Sequence, residues 1–172
     1  PSRIDLTTEG TADWAHWGLG SAVGFDHKAK VASRIPTFSQ IGGGTLGQSS
    51  LPAIFSWSDG TPNTASSSTS TAVSVSGNGR GFALTLPADP IARTVHLYVA
   101  VSSGQANLTA SLSDGSAPVY SDSSMASFFG NRIQEYTLTY NAASPGQSLR
   151  VAFTQVNNYG AGTVSLAAAT LS

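Results

Sequence analysis

From Phe55 to the C-terminus the chain alternates apolar and polar residues in short runs, each ended by Gly, Pro, Asn or Asp. A period of two puts successive side chains on opposite faces of an extended strand, whereas a helix needs a period of 3.6. Phe82, Leu84 and Leu86 share one face, and so do Val95, Leu97, Val99 and Val101, with His96 and Tyr98 opposite. Tyr136, Leu138 and Tyr140 repeat the pattern, followed by Leu149, Val151 and Phe153, and then Val164, Leu166 and Ala168. Shorter runs at 72–76 and 106–112 contribute Val73, Val75, Leu108 and Leu112. No ten-residue stretch sustains helical periodicity. Half-buried strands separated by turn signals predict an all-β fold, an antiparallel two-sheet β-sandwich, and a jelly-roll arrangement fits the strand count best.

The remaining segments supply punctuation. Residues 3–8 alternate and predict an opening strand, and residues 31–41 hold room for another. The Gly-rich stretch 42–47 predicts a flexible loop, since it lacks the following helix and the Lys that a phosphate cradle needs. The Ser/Thr tract 65–71 reads as an exposed loop or a polar edge, and Pro87 is expected to stop the strand before it. Residues 118–132 predict a loop at a variable edge, and residues 157–160 a hairpin turn. Asp59-Gly60 and Asp114-Gly115 end two strands with the same turn chemistry, in which Asp bonds the backbone ahead and Gly supplies positive φ.

At 172 residues the chain fits one domain, 1–172, large enough to bury its own core. Only 10% of residues are charged, far below the usual quarter, so the polar surface must be built from Ser, Thr, Asn and Gln. The net charge is −1 and the eight Lys and Arg form no stripe, which excludes the basic footprint of a nucleic-acid partner. No apolar run approaches the ~20 residues of a membrane helix, which argues against membrane insertion. The absence of Cys rules out disulfides and leaves the compartment open. Low charge with abundant Ser, Thr and Gly is a composition shared with secreted bacterial exoproteins. The chain opens at Pro1-Ser2-Arg3 with no signal peptide, as a mature product or excised module would.

Asp13-Trp14-Ala15-His16-Trp17-Gly18 holds two of the three tryptophans and one of the three histidines. On a strand Trp14 and His16 share a face and Trp17 takes the other. Two readings follow. An exposed pair would stack under the apolar C–H face of a pyranose, while a buried pair would fill core, where Trp covers the most area per residue. Tyr120, Phe128, Asn131 and Arg132 in the 118–132 segment, and Tyr159 beside Asn157 and Asn158, complete the candidate ligand set of Trp14, His16, Tyr120, Phe128, Asn131, Arg132 and Tyr159. One of the adjacent Phe128 and Phe129 is expected to cap the sandwich and the other to face a ligand. The pairs Asp13/His16 and Asp26/His27 lack any G-x-S-x-G or H-E-x-x-H context and read as surface or capping hydrogen bonds. Glu9 and Glu135 are the only glutamates and most aspartates sit in turns, so paired carboxylates for glycoside hydrolysis are not favoured and the protein reads as no enzyme. Calcium takes six to eight oxygens, which sandwich loops provide, and Glu9, Asp13, Asp26 and Asp59 are the candidate ligands of a structural Ca²⁺.

The segments 13–18, Phe-Ser-Trp-Ser-Asp-Gly-Thr-Pro (55–62), Gly-Phe-Ala-Leu-Thr-Leu-Pro-Ala-Asp (81–89) and Leu-Thr-Ala-Ser-Leu-Ser-Asp-Gly-Ser-Ala-Pro (108–118) together resemble bacterial extracellular β-sandwich modules, the nearest being jelly-roll carbohydrate-binding modules. The resemblance spans nearly the whole chain. It implies a non-catalytic accessory module of a secreted bacterial protein, attached to other modules in a longer chain, with a polysaccharide or glycan as partner. The alternative is a structural or adhesive sandwich without a glycan ligand.

Overall fold

The computed structural model describes residues 2–172. In chain order the elements are β1 (Ser2–Asp5), α1 (Leu6–Glu9), β2 (Asp13–Trp17), β3 (Phe25–Lys28), β4 (Ser39–Ile41), β5 (Gly47–Trp57) and β6 (Gly60–Thr61), followed by β7 (Ser66–Val75), β8 (Gly81–Ala88), β9 (Arg93–Leu112), β10 (Tyr120–Asp122), β11 (Ala126–Tyr140) and β12 (Gln147–Leu171). The single helical turn is capped by Asp5, whose carboxylate accepts the amides of Thr7 and Thr8. Every strand pairing is antiparallel except that of β1 with β5.

The architecture is an all-β sandwich whose two layers share their longest strands. β9 and β12 run side by side from Leu112↔Leu149 to Val95↔Leu171. One half of this ribbon pairs with β8 and β10, and β8 in turn with β4. The other half pairs with β11, β2 and the end of β7. Between the halves the ribbon folds over. The core positions of β9 are odd in Val95, Leu97, Val99 and Val101 but even in Ala106, Leu108 and Ala110. That parity switch is what a bulge produces, and it lets both halves face one core with Phe82, Leu84, Leu86, Val151, Phe153 and Trp17.

The layer formed by the first half of β9 and the end of β12 is buried on its second face too. There Leu51, Ala53, Phe55 and Trp57 of β5, with Leu6 of α1, cover Trp14, Tyr98, Ala100, Ala167 and Ala168 in a second core. Strands buried on both faces read as unbroken apolar runs, and 97–101 (Leu-Tyr-Val-Ala-Val) and 166–169 (Leu-Ala-Ala-Ala) are such runs.

Several expectations change. The 65–71 tract and the 118–132 segment are largely strand, in β7, β10 and β11. β8 continues through Pro87, opposite Ser148. The opening strand stops at Asp5, where the cap starts α1, and only residues 39–41 of the 31–41 segment are strand. Residues 157–160 lie within β12 rather than in a hairpin turn.

Trp14 is fully buried, packs its ring 5.3 Å from that of Trp57, and donates its indole N–H to Asp59 Oδ1 at 2.8 Å. Trp14→Ala removes one of the two tryptophans of the second core and leaves a void that backbone strands cannot close. The expected loss is about 3–5 kcal/mol in urea unfolding. Phe129→Ala, at a ring 93% exposed, should stay within about 0.5 kcal/mol of the parent.

Candidate functional site

The fold-over itself builds the most exposed aromatic cluster. On one side of β9, Ser127 pairs with Gly104 and Asn131 with Ser102, so Phe128, Phe129 and Gly130 stand opposite Ser103 alone. On the other side, Asn158 pairs with Gly104 and Thr163 with Ser102, so residues 159–162 also face only Ser103. Two bulges at one level push both neighbours of β9 outward, and Ser103 between them takes φ 46°. The rings of Phe128 and Tyr159 meet across it, nearly parallel, with centroids 4.9 Å apart and planes at 13°. They are 68% and 44% exposed, and Phe129 beside them is 93% exposed.

Polar groups hold this platform in place. Asn158 Oδ1 accepts the amides of Gly160 and Gly162 at 2.9 Å each, closing the excursion that carries Tyr159. Asn157 donates to Gln105 Oε1 at 2.6 Å, and Gln105 donates to Ser123 O at 2.7 Å. Ser127 Oγ donates to the carbonyls of Phe129 and Gly130. Asn131 donates to Ser50 O at 2.8 Å and Arg132 to Ala126 O at 3.1 Å. These bonds leave the Asn158 amide N–H groups, Asn131 Oδ1 and most guanidinium N–H groups of Arg132 for other partners. An aromatic shelf rimmed by amides and a guanidinium suits a ligand with one apolar face and many hydroxyls.

Of the residues read from sequence, Phe128, Asn131, Arg132 and Tyr159 meet at this corner. Neither Phe128 nor Phe129 caps the sandwich; Met125, fully buried, plugs the core there instead. Tyr120 pairs with Ala110, seven residues along β9 from Ser103, and is not part of the platform. Asn157 and Asn158, whose amides suit a glycan beside Tyr159, join the site as the sequence suggests, and Gln105 joins them through its bond to Asn157. Gln105 carries no signal of its own in the sequence, since it sits unmarked in β9.

Trp14 and His16 are corrected: both are fully buried and cannot meet a ligand. β5 covers their face, bringing Phe55 and Trp57 to 5.5 and 5.2 Å from the His16 ring. Both ring nitrogens of His16 are buried without a hydrogen-bond partner.

The four proposed metal ligands are also corrected, because each is occupied by donors of the chain. Glu9 accepts from Tyr98 Oη at 2.9 Å and from Thr170 Oγ1 at 2.7 Å. Asp13 accepts the amides of Trp14, Arg34 and Ile35. Asp26 accepts the amide and side chain of Asn63. Asp59 binds Lys28 Nζ at 2.6 Å, Thr7 Oγ1 and the Trp14 indole. Burial works to raise the Asp59 carboxyl, but the hydrogen bonds from Lys28, Thr7 and Trp14 and the Lys28 charge outweigh it and hold it below the usual carboxylate value. Among the described residues no three His, Asp or Glu side chains converge on a metal-sized site.

No model of a known protein family matches the chain, and no curated protein matches it significantly. Solved structures similar to it over about four fifths of its length include carbohydrate-binding modules. One is a CBM36 module in complex with calcium and xylotriose (14% identity, 80% of this chain, 100% of that one, TM-score 0.41). A second is TmCBM61 in complex with β-1,4-galactotriose (8%, 78% and 87%, TM-score 0.48). A third is the CBM22-1 xylan-binding domain of Paenibacillus barcinonensis Xyn10C (12%, 78% and 85%, TM-score 0.42).

His16 makes stability depend on pH. Burial pushes its pKa down to about 4. Between about pH 6.5 and 4 the unfolded chain binds a proton there that the folded protein refuses. Stability therefore falls as pH drops through that window, by about 3 kcal/mol in all. Urea unfolding from pH 7.5 to 4 reads this, and His16→Leu should flatten the profile above pH 4.5. An unchanged slope in that variant would remove His16 as the cause.

Proposed function

We propose that the protein is a non-catalytic carbohydrate-binding module, with Phe128, Tyr159 and Phe129 as the surface on which sugar rings lie. The stacked pair Phe128–Tyr159 carries this reading. Large rings held at the surface, rather than used in the core, offer apolar faces that water covers poorly. Neighbouring Asn131, Arg132, Asn157 and Asn158 offer hydroxyl-binding groups around them. The low charge content supports a secreted, extracellular bacterial setting, in which the module accompanies others in a longer chain. None of the platform side chains is a carboxylate, and stacking on Phe128 and Tyr159 requires no metal.

A second reading is favoured by one observation. Phe129 is 93% exposed beside Phe128 at 68%, an apolar pair that also fits adhesion to another protein.

Affinity electrophoresis through gels containing neutral polysaccharides separates the two. The expected outcome is retardation by at least one polysaccharide, insensitive to EDTA, and weakened roughly tenfold or more by Phe128→Ala or Tyr159→Ala. Both variants should unfold at the parent's urea midpoint, because neither ring is buried. Absence of retardation on every polysaccharide would favour the adhesive reading.

A further inference from the structure

A second concavity lies at the open edge between the two layers. β10 and β11 both pair with the same edge of β9, so after the fold-over their free edges face each other across the sandwich. Near the corner the edges are closed by buried Met125 and by Tyr136 Oη donating to Asp122 Oδ2 at 2.7 Å. Further out they part and leave a cleft of about 370 Å³, within the range of roughly 300–1,000 Å³ that small-molecule sites occupy. Outside the lining, the Asp114 carboxylate accepts the Ala143 amide at 2.9 Å, tying the segment after Leu112 to the one after Tyr140. Such cross-layer bonds hold the edges in place before any ligand arrives.

The lining states the chemistry of the occupant. Leu112, Leu138 and Leu149 form an apolar floor, and Tyr120 and Pro118 form a wall. The Tyr140 hydroxyl is spent on Pro87 O at 3.1 Å, and burial pushes its pKa up to about 12, so it stays neutral. Among the described residues, Tyr120 (45% exposed) and Asn141 make no side-chain hydrogen bond, and no Asp, Glu, Lys, Arg or His lines the walls. An uncharged wall with one free hydroxyl and one free amide disfavours ions and fits a ring with apolar C–H groups and hydroxyls.

We propose that this cleft is a second sugar site, taking one or two units of a neutral glycan. It rests on the reading of the protein as a carbohydrate-binding module, yet is separate from the platform by roughly 20–25 Å along β9. Two sites at that spacing would engage one polysaccharide chain or two neighbouring ones, raising avidity without a new contact.

Amide chemical-shift titration of the ¹⁵N-labelled protein reads the two sites independently. Cellopentaose, xylopentaose and laminaripentaose serve as neutral probes and trigalacturonate as the anionic one. The proposal expects a neutral probe to shift amides at 110–112, 120 and 137–141 as well as those at 128–131 and 157–160. Tyr120→Ala and Asn141→Ala should each abolish the first set and spare the second. Shifts confined to the platform would overturn the cleft and leave the function standing. Shifts confined to the cleft would uphold it and remove the platform. No shift with any probe would overturn both, and equal response of the cleft to trigalacturonate would overturn its neutrality.

Discussion

Everything in this molecule depends on how two long strands turn a corner without breaking. Backbone amides buried at a bend need partners, and Gln155 supplies them. Its main-chain N–H donates to Arg80 O, and its carbonyl accepts the Gly79 amide. Its side chain, fully buried, accepts the Gly77 amide at 2.8 Å through Oε1. One residue thereby ties the loop after β7 to the fold-over. β9 and β12 can then face one core with both halves, and the bulges beside Ser103 stay outside it.

That corner explains which parts of the fold were legible. Each alternating run from Phe82 onward is a strand, because alternation reports a single buried face. Strand continuity was not legible: β9 and β12 each read as two strands, since a bulge reverses the parity and looks locally like a turn. The covering pair of β5 and β7 was not legible either. Nothing in Ser66–Thr71 or in the polar positions of β5 shows that this pair folds back across a neighbouring layer, because its solvent face is Ser and Thr whichever layer it covers.

The site divides along the same line. Phe128 and Tyr159 could be suspected, since aromatics among Ser, Asn and Gly have few local reasons to be buried. Their contact joins residues 31 apart in sequence and arises from two bulges at one register. Trp14 and His16 invited the opposite inference, because a Trp and a His on one strand face look like a shelf when no cover is known. The cover is Phe55 and Trp57, themselves placed by pairings with β7 and β1. Asp59 and Asp114 make the same point. Both end strands in Asp-Gly, yet Asp114 bonds the Ser116 amide as a turn residue does, while Asp59 gathers Lys28, Thr7 and Trp14 from three elements.

The glycines under the platform carry an evolutionary consequence. A Cβ at Gly162 would strike Ser103 O and the Gln155 amide, and one at Gly104 would lie 2.6 Å from Asn157 O. Those two positions cannot drift. Phe128, Phe129 and Tyr159, by contrast, project from backbone that the glycines and Asn158 already fix, and their replacement disturbs nothing beneath. Descendants of this chain are free to change what they recognise by exchanging three rings, while the scaffold presenting them stays the same.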